Sequence, residues 1–328
     1  MIWNTIYGRQ ELVQTLQGAL EARQIAHAYL FYGPDGIGKK TIARVWATAL
    51  NCTGAGQKGC GVCAACRKAL QGTHPDLHWL QPEGKSLKID QMRQLKKLAY
   101  LKPREGKYQV FILEQADALT AEAANSLLKV LEEPPPGSLF ILLAQHPALL
   151  PATVVSRCQV FAVPRLDPPN MARLLQQRGL AAAEIDEITE WAEGIPGRAL
   201  AMSDQTKWRT YYTEAVEVLR ALTDGPVSRL AAALAEREEL DIFLDALTLV
   251  LREVLLRQTV GTLTKHEQHL SLLAESWSAQ ACIAALHEVL FLQQSLQSPV
   301  NKRLALEKML RNMKEVSETD GNGSRHSL

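Results

Sequence analysis

A short apolar run passes straight into a glycine-rich loop over residues 28–41, which read Ala28-Tyr-Leu-Phe-Tyr-Gly33-Pro-Asp-Gly36-Ile-Gly38-Lys39-Lys40-Thr41. The apolar run predicts a buried strand, and the alanine-rich stretch that begins at Thr41 predicts a helix whose N-terminus faces the loop. Glycines let backbone N–H groups turn inward, the helix dipole adds positive potential, and the lysine ammonium can reach phosphate oxygens. The spacing from Gly33 to Gly38 and Lys39 in this setting indicates a phosphate-binding P-loop.

The position after Lys39 departs from an active nucleotide site. A Ser or Thr hydroxyl normally follows the P-loop lysine and holds Mg²⁺, but this chain has Lys40 there. Thr41 comes one position late, and one residue on a helix is a rotation of about 100°, so its hydroxyl points elsewhere unless the loop adjusts. Two interpretations stay open: the loop binds ATP or ADP, or it is retained for structural use alone.

A second element of the predicted site follows the apolar strand Gln109-Val-Phe-Ile-Leu113. In an active site this strand ends in Asp-Glu, where the aspartate fixes Mg²⁺ and the glutamate orients the attacking water. Here the next two residues are Glu114 and Gln115. Glu114 can still reach a metal, although its extra methylene displaces the carboxylate, whereas the neutral Gln115 cannot act as a general base. Because the magnesium hydroxyl and the base are both missing, we do not expect efficient ATP hydrolysis by this chain.

Four of the six cysteines crowd into one short glycine-rich loop: Cys52, Cys60, Cys63 and Cys66. In a cytosolic chain, two overlapping Cys-x-x-Cys pairs and one upstream thiolate can surround zinc tetrahedrally, with each sulfur about 2.3 Å from the metal. Four protein ligands leave no open position for substrate, so the sequence predicts a structural zinc. The alternative is a set of reduced thiols on a flexible loop. A redox role is disfavoured because the loop lacks the βαβ setting of a thioredoxin-like motif.

Composition and length limit the remaining possibilities. The 328 residues predict two or three domains, and 36 basic residues nearly balance 35 acidic ones. The chain has no overall excess of basic residues that would indicate nucleic-acid binding, so any DNA contact must be local or shared with other proteins. The first residues show no charged segment followed by an apolar one, and no uncharged apolar run reaches about 18 residues. We therefore expect a cytoplasmic protein with no membrane contact.

The strand and helix signals change along the chain. Runs at residues 109–113 and 139–143 are separated by a helical stretch over 121–131, as expected for buried parallel strands with a crossover helix. From Pro168 onward the strand signals disappear and only helical pattern remains, interrupted by short turns such as Gly194-Ile-Pro-Gly197. The sequence predicts an α/β half, with a parallel sheet flanked by helices, followed by an all-helical part.

One arginine stands out beyond the second of these strands, in the triplet Ser156-Arg157-Cys158. An arginine at a helix end is stabilised by ordinary charge–dipole attraction, worth under about 1 kcal/mol. The other interpretation is that Arg157 acts in a neighbouring protein, where a guanidinium stabilises the charge that develops on a transferred phosphoryl group. The triplet alone does not separate the two.

Several motifs together resemble those of bacterial clamp-loader subunits, the AAA+ proteins of the DNA polymerase III holoenzyme. These are His27-Ala-Tyr-Leu-Phe31, the cysteine cluster, Thr73-His-Pro-Asp76, Asn125-Ser-Leu-Leu-Lys-Val-Leu-Glu-Glu-Pro-Pro135 and Ser156-Arg-Cys158. The resemblance covers nearly the whole chain. It implies one of two types: the ATP-hydrolysing tau/gamma type, or the delta-prime type, which lacks hydrolysis and donates an arginine finger.

The delta-prime type is favoured by four features of the sequence. They are Thr73-His-Pro-Asp76, the defective magnesium positions, a short length without a tau-like extension, and Asn301-Lys-Arg-Leu-Ala-Leu-Glu307. The segment Leu143-Ala-Gln145-His146 adds a further departure, because active relatives keep a Thr or Asn as a sensing residue there. On this resemblance Arg157 is the catalytic arginine finger, acting in trans.

The resemblance also assigns residues to the metal and nucleotide sites. The four clustered cysteines match zinc ligands, although seven residues separate Cys52 from Cys60 where eight are commoner. The nucleotide-binding set comprises Gly33, Gly36, Gly38, Lys39, Lys40, Thr41, Glu114 and Arg198. Arg198 matches a lid arginine that senses nucleotide, and a surface helix start after the Gly-Ile-Pro-Gly turn is the equal alternative.

The resemblance implies a hetero-pentamer with tau/gamma and delta subunits that places a sliding clamp on primed DNA. The expected parts are an AAA+ domain with a zinc loop over residues 1–166, a small helical lid over 167–207, an all-α collar over 208–316 and a disordered tail over 317–328. Structural zinc is the expected cofactor, with ATP or ADP bound weakly or not at all. Nothing in the chain resembles a polymerase active site. The runners-up are a competent tau/gamma-like ATPase and a non-catalytic assembly adaptor.

Overall fold

The chain was studied as a computed structural model, which describes residues 1–56, 58–84, 86–237, 239–260, 270, 273–274, 276–296 and 300–323. It divides into two compact units, Met1–Leu200 and Ala201–Leu328. The first unit holds all the described strands, and the elements described in the second are all helices. The predicted boundaries at residues 166 and 207 stay predictions.

Five parallel strands form a single sheet in the first unit. They are β1 (Ala28–Tyr32), β2 (Leu77–Leu80), β3 (Gln109–Leu113), β4 (Ser138–Ala144) and β5 (Gln159–Ala162). Their order is β2-β3-β4-β1-β5, and every pairing between neighbours is parallel. The central strands β1, β3 and β4 therefore end side by side, which brings the three segments that follow them to one edge of the sheet.

In the described residues, the α-helices that accompany this sheet are α1 (Gln10–Glu21), α2 (Lys39–Leu50), α3 (Ala64–Leu70), α4 (Ile89–Ala99), α5 (Ala121–Glu132), α6 (Ala152–Val155), α7 (Pro168–Gln176), α8 (Ala182–Trp191) and α9 (Pro196–Met202). Because side chains alternate across a strand, the sheet contributes side chains to two apolar clusters, one on each face. Tyr29 and Phe31 pack with Trp46 of α2 on one face, while Leu30 shares the opposite cluster with Leu127 of α5. The sheet is thus buried between helical layers, as predicted.

The second unit is an all-helical bundle. Its helices are α10 (Gln205–Asp224), α11 (Val227–Ala235), α12 (Leu240–Val260), α13 (Ala279–Ser295) and α14 (Lys302–Gly323). Helix α12 buries a broad apolar face that includes Phe243, Leu247 and Val250, and it packs on α10 and α13. The parallel sheet with flanking helices and the helical C-terminal unit confirm the predicted fold class.

Two features of the helices bear on the remaining expectations. Helix α14 continues to Gly323, beyond the predicted end of the collar at residue 316, and residues 324–328 of the expected tail lie outside the described residues. Among the described helices, none combines the length and the apolar character needed to cross a membrane.

Candidate functional site

The glycine-rich loop joins β1 to α2 at the edge where the central strands end. Its first N–H, from Gly33, donates to the carbonyl of Ala144 at the end of β4, with 3.2 Å between nitrogen and oxygen. Gly36 and Gly38 have φ angles of 75° and 105°, a region that side chains rarely allow. Gly38 caps α2, so the helix begins at Lys39. The loop has the strand–loop–helix geometry that a phosphate site requires.

The ammonium of Lys39 is folded back on this loop. It lies 2.5 Å from the carbonyl oxygen of Gly33, 3.1 Å from that of Pro34 and 3.3 Å from a carboxylate oxygen of Asp35. The other Asp35 oxygen accepts a 2.7 Å hydrogen bond from the side-chain amide of Gln145, which follows β4. Asp35 therefore gives the lysine an anionic partner within the loop itself.

The two magnesium positions are joined by an ion pair. The Lys40 ammonium lies 2.5 Å from one carboxylate oxygen of Glu114, and the Gln81 side-chain amide donates to the other oxygen at 3.2 Å. Glu114 is only 5 % exposed. Since Lys40 replaces the magnesium hydroxyl and Glu114 replaces the magnesium aspartate, an ammonium stands between the two positions that would share the metal.

The remaining predicted positions do not restore the missing chemistry. Thr41 is exposed on the first turn of α2, one residue beyond the position of the metal ligand. Gln115 is also exposed, with a φ of 49°. It carries no group that can take a proton from water.

Two charged residues near the loop were missed by the sequence reasoning. Arg9 is 6 % exposed, and its guanidinium donates to the carbonyl oxygens of Ile37 and Pro164. Burial lowers the pKa of Arg9 to about 10. No local signal pointed to this residue, because it lies far from the loop in sequence.

Asp117 is the second missed residue, three positions after Glu114. Burial raises the pKa of its carboxyl group, backbone N–H groups including that of Gln145 oppose the rise, and the Asp35 carboxylate adds to it. Its place just after β3 was the one available signal, because all side chains that follow the central strands gather at this edge.

The start of α9 lies directly against the glycine loop. The Gly197 N–H donates to the Gly36 carbonyl oxygen at 2.8 Å, and a Cβ built on Gly197 would lie 2.5 Å from the Gly36 Cα. The next residue, Arg198, therefore belongs to a helix that touches the loop. Its guanidinium pairs with the Glu193 carboxylate at 3.2 Å, and its side chain is 32 % exposed.

The four clustered cysteines meet in one place. All four sulfurs lie within 4.8 Å of one another; the Sγ atoms of Cys52 and Cys63 are 4.0 Å apart, and those of Cys60 and Cys66 are 3.9 Å apart. A tetrahedron of zinc–sulfur bonds of about 2.3 Å has edges of about 3.8 Å, so the sulfur set fits this ion. Cys52, which the seven-residue gap had put in doubt, belongs to the cluster.

Burial raises the pKa of the Cys66 thiol, whereas hydrogen bonds lower the pKa values of the Cys52 and Cys63 thiols. The amide N–H groups of Cys63 and Cys66 donate to the sulfurs of Cys60 and Cys63, each at 3.4 Å. Burial acts to raise the pKa of the Cys63 thiol, but hydrogen bonds from the Thr53 side chain and the Cys66 amide lower it to about 5. A thiolate set of this kind could hold zinc in a closed, structural site.

Arg157 lies between the short helix α6 and the strand β5. One terminal nitrogen donates to the Thr153 carbonyl oxygen at 2.8 Å, and the other lies 2.7 Å from a carboxylate oxygen of Glu132 at the end of α5. The side chain is 33 % exposed, so part of the guanidinium is accessible to solvent. The adjacent Cys158 is half-buried, and burial raises its pKa to about 12, which leaves it an inert thiol.

The sequence of this chain is similar to those of DNA polymerase III subunits. Residues 8–167 match a family model described as DNA polymerase III, delta subunit. The chain is 35 % identical over 201 residues to the DNA polymerase III subunit delta' of Bacillus subtilis, covering 57 % of this chain and 61 % of that relative. It is 41 % identical over 186 residues to subunit delta' of Pseudomonas aeruginosa, covering 56 % and 55 %.

A tau subunit and a solved structure are also similar. The DNA polymerase III subunit tau of Escherichia coli is 33 % identical over 207 residues, which is 61 % of this chain and 32 % of that relative. A gamma subunit-related protein of Thermotoga maritima aligns over 93 % of this chain and 99 % of its own, with 18 % identity and a TM-score of 0.49. The chain therefore spans less than two thirds of the length of each curated relative named here. On the sequence matches, the chain is similar to the clamp-loader subunits of DNA polymerase III, and its two delta' relatives support the delta-prime type.

Proposed function

We propose that this chain completes a DNA polymerase III clamp loader without hydrolysing ATP itself. In this role it assembles with tau/gamma and delta subunits into a hetero-pentamer in the cytoplasm. The assembly places a sliding clamp on primed DNA during replication. Arg157 acts in trans, on the nucleotide site of a neighbouring subunit.

The observation that carries this proposal is the ion pair between Lys40 and Glu114. A working site needs a hydroxyl and a carboxylate to share Mg²⁺, which bridges the β- and γ-phosphates. Here the carboxylate already faces an ammonium at 2.5 Å, and the neutral Gln115 replaces the catalytic base. ATP or ADP could still enter the loop, but the residues that drive hydrolysis are replaced.

The position of Arg157 supports the second half of the proposal. A planar, permanently charged guanidinium can stabilise a developing phosphate charge, which contributes about 10³ to 10⁵ in rate in well-studied cases. Arg157 is partly exposed and lies next to the edge strand β5, outside the chain's own glycine loop. It is therefore available to a partner and not to the loop of Gly36 and Lys39.

The zinc cluster has a structural part in this proposal. Four cysteine ligands would saturate the metal, which leaves no site for substrate or water. Cys60 and Cys63 precede α3 and Cys66 lies within it, and Cys63 caps that helix through its sulfur. The metal would hold together a glycine-rich segment that has little core of its own.

Reconstitution of the loader tests the proposal. Arg157→Ala is expected to abolish most DNA-stimulated ATP turnover and clamp loading while the complex still assembles. Arg173→Ala, on α7, is the matched control and should leave both activities unchanged. Wild-type turnover with Arg157→Ala would leave only the adaptor role, and steady hydrolysis by the isolated chain that Lys39→Ala abolishes would favour a tau/gamma-like ATPase.

A further inference from the structure

The carboxylate of Glu132 is the anionic partner of Arg157 in the described structure. Glu132 is the last residue of α5, while Arg157 follows the last turn of α6. Leu131, which precedes Glu132, and Val154, three residues before Arg157, are buried in one apolar cluster. Because this cluster fixes α5 against α6, the two charged side chains meet through packing and not by chance contact of free side chains.

The guanidinium is oriented by several acceptors at once. Nη1 donates to the Thr153 carbonyl oxygen at 2.8 Å and lies 3.4 Å from the Ser156 hydroxyl oxygen, while Nη2 lies 2.7 Å from Glu132 Oε1. A guanidinium has five N–H donors, so these three bonds leave donors for a further anion. The side chain is thus held in one direction with part of its hydrogen-bonding capacity unused.

The ion pair between Glu132 and Arg157 is weak enough for another anion to replace Glu132. Glu132 is 48 % exposed and Arg157 33 % exposed, and ion pairs at such exposed positions are weak. A phosphate group carries more charge than one carboxylate and accepts the same planar pair of donors, so it can take over the guanidinium. The carboxylate is strong enough to restrict the long arginine side chain, whose free rotation would otherwise oppose binding.

We propose that Glu132 is the positioning residue of Arg157: it holds the guanidinium in a defined direction until a neighbouring subunit presents a phosphate. This inference rests on the proposed finger role. In this role Glu132, at the end of α5, supports ATP hydrolysis in the neighbouring subunit by orienting Arg157, and it contacts neither the nucleotide nor the attacking water itself.

The test compares four variants in the reconstituted loader with primed DNA: Glu132→Ala, Glu132→Gln, Glu133→Ala and Arg157→Ala. Glu133 is the matched control, because it is the next residue, equally charged and exposed, and has no ion pair in the described part of the chain. We expect Glu132→Ala to lower kcat for ATP about threefold to tenfold, the loss that follows from freeing one long side chain, with KM for ATP unchanged. Glu132→Gln keeps a hydrogen-bond acceptor and should recover part of this loss, and Glu133→Ala should match the wild type.

Each outcome decides a separate point. Wild-type kcat for Glu132→Ala, with Arg157→Ala inactive, would overturn the positioning role and leave the finger role intact. A rise in kcat for Glu132→Ala would overturn it as well, because Glu132 would then restrain the arginine. Wild-type turnover by Arg157→Ala would instead reject the finger itself. A loss in Glu132→Ala that comes with weaker assembly or lower thermal stability, and with no recovery by Glu132→Gln, would reduce Glu132 to a structural role and count against the proposal.

Discussion

The Lys40 ammonium lies 2.5 Å from the Glu114 carboxylate, and these are the two positions that would share a magnesium ion in an active P-loop site. The pair is asymmetric, because Lys40 is largely exposed while Glu114 is almost fully buried. The position that a magnesium ion would take in an active P-loop site is therefore next to a cation that is part of the protein.

Replacing Lys40 by threonine should make the protein respond to magnesium. The substitution restores a hydroxyl at the metal position and leaves the buried Glu114 without its ammonium, which should cost about 1–3 kcal/mol in metal-free buffer. Millimolar Mg²⁺ should recover part of that loss. Thermal unfolding with EDTA and with Mg²⁺ measures the effect, and Lys97→Thr, at an exposed position of α4, is the control. Equal unfolding temperatures of Lys40→Thr in the two buffers would contradict the replacement of a metal by Lys40.

The cysteine cluster should retain about one zinc ion per chain after purification without chelator. Replacing Cys66, which is fully buried, by serine should remove the metal and lower the unfolding temperature. Cys158→Ser is the control, because Cys158 lies outside the cluster and should leave the zinc content unchanged. Metal analysis of the three proteins checks this, and a zinc-free wild-type protein would show that the four thiols serve another purpose.

Asp76 should make stability depend on pH at the acidic end. Burial acts to raise the pKa of its carboxyl group, but N–H groups of Arg104, Gly106 and Glu105 hold that pKa below its ordinary value. A carboxyl group with a lowered folded-state pKa stabilises the protein above its unfolded pKa of about 4, and this stability is lost as the pH falls through the folded value.

The variant Asp76→Asn isolates that contribution. It should be less stable than the wild type by about 2–3 kcal/mol at pH 7, because an amide replaces an oxygen that accepts N–H groups. The difference should shrink below pH 4. Chemical denaturation across this pH range measures it, with the exposed Asp90→Asn as control. A difference that stays constant down to pH 2 would mean that the charge of Asp76 contributes nothing.

Gly197→Ala should destabilise the first unit by about 1–3 kcal/mol. The new methyl group would lie 2.5 Å from the Cα and 3.0 Å from the carbonyl oxygen of Gly36, and neither backbone atom can move aside like a side chain. Gly18→Ala is the matched control. It lies within α1 with no atom within 4 Å of the new methyl group, so it should stabilise by about 0.5–1 kcal/mol. Equal free energies of unfolding for the two variants would show that α9 does not depend on this contact.

The sequence predicted the parts of the site that depend on local pattern. The strand before Gly33, the helix after Gly38 and the cysteine spacing each follow from residues close together in the chain. The family-based interpretation added the delta-prime type, which the sequence matches support. The zinc ion, the arginine finger and the domain boundaries stay predictions.

Contacts between side chains of distant segments could not be predicted from local sequence pattern. The contacts in question are Lys40 with Glu114, Arg9 with Ile37, and Arg157 with Glu132. Each forms only because the strand order and the packing of helices bring separate segments together. A sequence pattern states which residues carry charge, but the partner of each charge is fixed by tertiary structure. The sequence alone left Glu114 free to reach a metal, whereas in the structure its carboxylate pairs with Lys40, which lies 74 residues away in the chain.

The close approach of Gly36 and Gly197 bears on how such sequences should be interpreted. Two backbones meet here with no room for a side chain on either, so selection for folding alone is enough to keep a glycine in the phosphate loop. A P-loop pattern can thus survive in descendants that have ceased to use nucleotide. In chains with this contact, the glycines can reflect the fit between two backbone segments, and the residue after the lysine is the better guide to ATP hydrolysis.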